Sequence, residues 1–379
     1  MKTKRSLVLA ITCAALPTLA AAQSSVTLYG RLDAGITYVS NAGGGSQYKF
    51  DDGVLYGNRW GLKGTEDLGG GLSSVFVLEN GFSLGTGSFR QGGAEFGRQA
   101  YVGLKNQYGS ITMGNQYDAV WDYLGLAGYN LGAFTSGYGL HQGDLDGYLG
   151  RRLQNSIKFS SADFNGFRGG AMYSFSNVAG NFHQGSSWSA GASYNHGAFS
   201  AGAAYTQLNN PSGVNGLDPY AQLGVTSLLG QTVAVRNPTT GVVTDSFANA
   251  PFNINKQAVT AIGASYVIDN LTLASTITNT QLNGFGNSDH LRVYEAGGQY
   301  YFTPTFFSIL SYEYNKLESE HWNQMSAGVG YQISKRTLLY AGGDYVKATS
   351  QVNAVIGDSF APSSNDHQSD VRVGMYTSF

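Results

Sequence analysis

Val371-Arg372-Val373-Gly374-Met375-Tyr376-Thr377-Ser378-Phe379 alternates at every step. Val371, Val373, Met375, Thr377 and Phe379 share one face, and Arg372, Gly374, Tyr376 and Ser378 the other. A period of two is that of a β-strand. If the apolar face meets lipid, Arg372 on that face would cost ~2–4 kcal/mol at mid-membrane, so the odd-numbered face is read as outward. Near the other end, Val26, Leu28, Leu32, Ala34, Ile36 and Tyr38 oppose Thr27, Tyr29, Arg31, Asp33 and Thr37 with the same rhythm. A sheet in lipid cannot leave an edge unpaired, so these two segments are expected to pair and close a barrel.

Composition agrees. The chain has 53 Gly, 25 Tyr and 20 Phe, but only 7 Pro and 12% charged residues. No stretch after residue 22 is apolar for the ~18 residues a spanning helix needs. In a transmembrane barrel, by contrast, only every second strand residue must be apolar. A strand closing on an aromatic residue also resembles the C-terminal signature of bacterial outer-membrane barrels. Residues 1–22 read as a signal peptide: Lys2, Lys4 and Arg5 precede an apolar run at 7–16, Pro17 breaks it, and Ala20-Ala21-Ala22 supplies a cleavage site. The lone cysteine, Cys13, lies inside it, so disulfide chemistry is not expected. Removing three basic and no acidic residues leaves 19 basic against 24 acidic, a net charge of −5. That balance excludes a basic nucleic-acid footprint, so no nucleic-acid partner is expected.

Sixteen alternating segments are expected, near 26–38, 57–66, 72–82, 96–106, 110–117, 152–160, 167–176, 187–195, 198–207, 257–268, 271–280, 290–302, 305–316, 321–332, 337–346 and 370–379. Turn-like links such as Asp163-Phe164-Asn165-Gly166, His196-Gly197 and Asp269-Asn270 alternate with longer ones at 39–56, 83–95, 118–151, 177–186, 208–256, 281–289, 317–320 and 347–369. Short turns on one rim and long loops on the other suit a transmembrane barrel occupying residues 23–379 as one domain. The fold class is therefore all-β, a sixteen-stranded antiparallel transmembrane β-barrel with an inward-folded third loop. Sixteen strands leave an aqueous lumen that side chains alone do not fill. The loop at 118–150, rich in aromatics and glycine, has no strand rhythm and is expected to fold into that lumen. The longer loop at 208–256 carries Pro211, Pro219, Pro238 and Pro251 and fits an external cap.

Alternation places several charges inside. Arg59 and Lys63 oppose outward Trp60 and Leu62, Glu79 opposes Phe76 and Leu78, and Arg152 and Lys158 oppose Leu153, Ile157 and Phe159. Arg98 shares a register with Ala100, Val102 and Leu104, yet the cost of a lipid-facing charge assigns it inward, with Tyr101 outward. Arg31, Arg59, Arg98 and Arg152 then read as a basic patch on one wall, or as separately solvated lumen residues.

Residues 26–35 (VTLYGRLDAG), 59–71 (RWGLKGTEDLGGG) and 96–105 (FGRQAYVGLK) resemble the Gram-negative general porin family, as do Gln116-Tyr117-Asp118 and Asp122-Tyr123-Leu124-Gly125. The likeness is to porins of β-proteobacteria of the Burkholderia type and is strongest up to about residue 175. It implies a homotrimer in the outer membrane, in contact with the lipid bilayer and lipopolysaccharide, passing small hydrophilic solutes and ions by passive diffusion. It also implies an arginine ladder (Arg31, Arg59, Arg98, and Arg151 or Arg152, alternation favouring Arg152) facing an acidic side. The acidic side is expected at Glu79, Asp118, Asp122, Asp144 and Asp146. The acidic tip of enterobacterial members is missing, since residues 126–140 contain no acidic residue. The arginines are therefore expected to dominate and favour anions.

Other readings have less behind them. The six histidines are scattered, and neither a G-x-S-x-G nor an H-E-x-x-H motif occurs, so no enzyme, cofactor or metal set is expected. A channel specific for a sugar or organic anion would use Trp121, Tyr123, Tyr129, Phe134 and Tyr138 as a sliding surface, against the plainer reading that they pack the loop to the wall. A non-channel barrel acting as adhesin or anchor would need fewer strands. His141 is read either as an exposed loop residue or as a pH-sensitive group in the constriction.

Overall fold

The computed structural model describes residues 25–211, 217–249, 251–357 and 359–379. The signal peptide expected over residues 1–22 lies outside them. The strands are β1 (Ser25–Ala42), β2 (Gly45–Asp52), β3 (Arg59–Gly69), β4 (Leu72–Gly81), β5 (Gln99–Asn106), β6 (Gly109–Tyr117), β7 (Arg152–Ser161), β8 (Phe167–Ser174), β9 (Ser187–His196) and β10 (Phe199–Asn209). Two small ladders follow: β11 (Ser227–Leu228) with β12 (Gln231–Thr232), and β13 (Ala234–Arg236) with β14 (Val243–Asp245). The barrel resumes with β15 (Lys256–Ile268), β16 (Leu271–Gly284), β17 (Asn287–Thr303), β18 (Phe306–Leu317), β19 (Glu320–Gln332), β20 (Thr337–Ala348) and β21 (His367–Ser378).

Each barrel strand pairs antiparallel with its sequence neighbour, and β1 pairs with β21 from Arg31↔Ser378 to Val39↔Asp370, which closes the sheet. The other side of β1 carries two partners in line, β3 opposite residues 25–31 and β2 opposite residues 34–42. β2 and β3 thus share one of sixteen positions around an all-antiparallel barrel, interrupted at residues 53–58. The expected loop at 39–56 is accordingly mostly strand, a hairpin turning at Gly43 and Gly44, both at positive φ. The long link expected at 281–289 is likewise a tight turn. Phe285 and Gly286 both have positive φ (54° and 79°), the geometry that matches the twist of its flanking strands.

The pleat sorts side chains as the sequence demands. Val371 and Val373 are 57% and 61% exposed on the outer face, while Arg372 between them is fully buried inside. There it bonds to Tyr340, Thr37 and Asp33 and pairs with Asp51. Among the described residues no helix is long and apolar enough to cross a membrane.

Two departures from simple alternation bear on the lumen. Asn155 (φ 51°) marks a bulge where the β6–β7 register moves from Gly114↔Ser156 to Gln116↔Leu153. Counting by twos from Phe159 therefore fails beyond it, and Leu153 is buried instead of facing out. β5 begins only at Gln99, so Arg98 does not obey its alternation. Val102 and Leu104 are the exposed pair, and Tyr101 shares the inner face, not the outer one.

The largest apolar cluster lies where the long loop folds over one end of the barrel. Leu217, Leu223, Val225, Val233, Phe252 and Ile254 pack against Leu282, Leu291, Trp322 and Val346 of the strands. This fits the expected cap.

Candidate functional site

The segment 118–150 leaves β6 and lies against the inner wall over much of its circumference. Its first turn is fixed by Asp118, whose Oδ1 accepts from the Trp121 N–H (3.1 Å) and whose Oδ2 accepts from Thr206 of β10 (2.9 Å). Ala119 N–H donates to Ser189 of β9, and the Tyr129 hydroxyl meets Ser200 of β10. Further along, Gly132 N–H donates to Glu295 of β17, Thr135 and Ser136 to Asp344 of β20, and Tyr138 to Asp51 of β2. The returning arm bonds to β16 through Thr278–Asp146 and Tyr148–Thr276.

Small wall residues permit this approach. A Cβ at Gly202 would sit 2.3 Å from the Tyr123 carbonyl oxygen, and one at Gly342 would sit 2.5 Å from the Thr135 carbonyl carbon. Tyr123, Tyr129 and Tyr138 are buried, so these rings fasten the loop and offer little sliding surface. From above, Gln142 donates to the Gln222 and Val355 carbonyls, so the cap and the 349–366 segment hold the loop down.

The arginines stand on the other arc. Arg31 and Arg59 are direct cross-strand partners. Arg31 is exposed, its guanidinium 5.5 Å from the Tyr56 ring centre. Arg59 donates to the Gly57 carbonyl and lies 4.0 Å from Glu79. Arg98 bonds Glu79 through Nε (2.8 Å) and the Tyr117 hydroxyl through Nη2 (2.7 Å). Arg152 reaches the same hydroxyl at 3.4 Å and lies 4.9 Å from the ring centre. Arg59, Arg98 and Arg152 are thus linked through one carboxylate and one phenol, and Arg31 extends the row as the cross-strand partner of Arg59.

The acidic residues do not form a facing side. Glu79 belongs to the arginine row, because its strand lies between β3 and β5. Asp118 is fully buried in the hinge turn; burial pushes its carboxyl up to about 6 although Arg151 lies near. Asp122 pairs with Lys158 of β7 at 2.8 Å, and burial outweighs that cation to raise it. Asp144, at φ 44°, accepts from the Leu149 N–H in a local turn. Asp146 is buried against β16, its Oδ2 2.6 Å from His141 Nδ1. Each expected carboxylate is thus engaged by its own surroundings, which for Asp118, Asp122 and Asp146 include strands distant in sequence.

His141 is buried, not exposed. Its Nε2 lies 3.2 Å from Glu295 Oε2, and Glu313 stands close by. Burial alone would favour the neutral ring, but Asp146 and Glu295 hold its pKa well above the usual value. Sequence reading missed Glu295, Glu313 and Asp344 as lumen groups beside the loop. Their signal was present, since each lies on the inward parity of an alternating strand.

The model of the Gram-negative porin family matches residues 7–351. An outer membrane porin protein of Bordetella pertussis is 36% identical over 192 residues, covering 46% of this chain and 48% of its own. A major outer membrane protein P.IB of Neisseria meningitidis is 26% identical over 336 residues, covering 81% and 92%. The chain spans about half the length of the first of these relatives. The structure is similar to that of an anion-selective porin from Comamonas acidovorans, with a TM-score of 0.74 at 22% identity over 94% of this chain and 100% of that one.

Proposed function

The chain belongs to the Gram-negative porin family, and from that premise we propose that it is an outer-membrane channel for passive diffusion of small hydrophilic solutes, with a preference for anions. The observation that carries the preference is the row Arg31, Arg59, Arg98 and Arg152 with only Glu79 among it. In a lumen with low-dielectric walls, fixed charge of one sign focuses the field and raises the local concentration of its counter-ions. The loop narrows the path without adding a free carboxylate opposite, so the arginines set the sign. Chemistry on the solute is not part of this reading; the same residues bind and release ions without a nucleophile aligned with a base. The channel sits in the outer membrane, exported by a leader over residues 1–22, and works as a trimer like other family members. The similarity to an anion-selective porin supports the same direction.

Reversal potentials in a planar bilayer under a KCl gradient test the preference. The expected sign is that of chloride flow, and a cation-selective potential overturns the proposal. Liposome swelling with sugars of graded size tests general diffusion, for which the rate falls smoothly with size. One outlying fast sugar would instead mark a specific channel. Electrophoresis of unheated, detergent-extracted protein tests the trimer; a monomer band alone would refute it.

A further inference from the structure

We propose that His141, Glu295 and Glu313 form a binding site for one divalent transition-metal ion of the zinc type, clamping the inward loop to the barrel wall. One ligand atom from each of the three residues lies within 4.8 Å of the others, and all three residues are buried. Tetrahedral zinc has bonds of ~2.1 Å, which puts its ligand atoms roughly 3.4 Å apart, so small side-chain shifts bring the set to bonding distance. Imidazole with two carboxylates suits zinc and its neighbours better than calcium or magnesium, which prefer oxygen alone.

Three features outside the cluster orient it toward an ion. Asp146 Oδ2, 2.6 Å from His141 Nδ1, fixes the ring so that Nε2 faces Glu295 Oε2 at 3.2 Å. This carboxylate–histidine arrangement is the usual support of a metal-bound imidazole. Glu295 Oε1 already accepts from Gly132 N–H and Ser311, so Oε2 is the oxygen presented to His141. Gln324, paired in register with Glu313 on the adjoining strand and 1% exposed, keeps its amide oxygen without a donor. Its amide nitrogen is turned to the carbonyl of Leu140, the residue preceding His141, so the unpartnered oxygen is available as a fourth ligand. A neutral histidine with two ionised glutamates also balances a double positive charge.

The groups around His141 are Asp146 on its own loop, Glu295 and Glu313 on the wall, and Tyr148 with its ring 4.9 Å away. Histidine and glutamate bind a metal ion in their deprotonated forms. Uptake therefore releases protons and weakens as pH falls.

Calorimetric titration of the detergent-solubilised full chain with ZnCl2, in two buffers of different ionisation enthalpy, tests this directly. The expected result is one saturable site per chain with proton release. Affinity falls about tenfold or more in Asp146→Asn and further in His141→Gln or Glu313→Gln, and is unchanged in His183→Gln. Absence of a saturable site in the wild-type protein overturns the proposal, whether or not the variants fold. So does wild-type affinity in His141→Gln that still migrates as compact, heat-modifiable protein. Binding is read without any channel measurement, so failure here leaves the diffusion reading standing.

Discussion

Arg31 differs from its three companions in being exposed and in having neither an ion-pair partner nor a hydroxyl bonded to its guanidinium in the described residues, only the Tyr56 ring beside it. Its field is therefore the least compensated of the row, whereas Arg98 is tied to Glu79 and Tyr117. Arg31→Glu should reduce the chloride-to-potassium permeability ratio at least about twofold, because it reverses a charge where field lines converge. A smaller change in bilayer reversal potential than Arg98→Gln produces would count against this ranking. At Asp118 the relevant variable is pH. Burial raises the carboxyl to about 6, above the ordinary ~3.9 of an unfolded chain. For an acid shifted upward, the stabilising contribution is present below the unfolded value and is lost as pH rises through about 6. Asp118→Asn can accept from Trp121 and donate to Thr206 without ionising. Thermal unfolding in detergent should thus show the wild type losing stability relative to the variant between about pH 4 and 7, by on the order of 3 kcal/mol. Parallel pH curves would show that the hinge carboxyl does not feel its burial.

The inward loop has the wall's shape built into its position. Gly342 and Gly202 are flat spots against which backbone presses, so Gly342→Val must push residues 135–136 away from β20 and toward the lumen. Single-channel conductance should fall, by about a third or more, with β-content unchanged by circular dichroism; unaltered conductance would mean that the loop does not bound the pore. The strands that carry the loop were legible because lipid on one side and water on the other impose a period of two along the chain. β2 escaped notice because the turn at Gly43-Gly44 and the break at residues 53–58 fold one barrel position from two short pieces. The bulge at Asn155 escaped for a similar reason: one residue in αL shifts parity without altering composition. The loop's electrostatics were not legible at all. Whether Asp146 faces water or Thr278 depends on a strand more than a hundred residues away, and no local pattern encodes that choice.

At the scale of the whole molecule, net charge and selectivity point in opposite directions. The chain beyond residue 22 carries −5, yet the lumen wall carries the arginine row. The two are compatible because an ion in transit feels charges within about one Debye length, ~10 Å at 0.1 M salt and ~3 Å at 1 M. Carboxylates near the rims, such as Asp163 and Asp366, which pair with Arg168 and Lys347, are screened from an ion at the constriction. Arg31 and Arg59 are adjacent to it at any ionic strength. Selectivity should therefore weaken but keep its sign as KCl rises from 0.1 to 1 M. If rim and loop charges governed instead, dilute salt would lengthen their reach, and the net negative charge would pull the preference toward cations. Reversal potentials taken at a fixed KCl ratio but at falling mean concentration separate the two cases. Anion preference that grows on dilution locates the selecting charges on the arginine wall, while a preference that crosses to cations locates them on the surface.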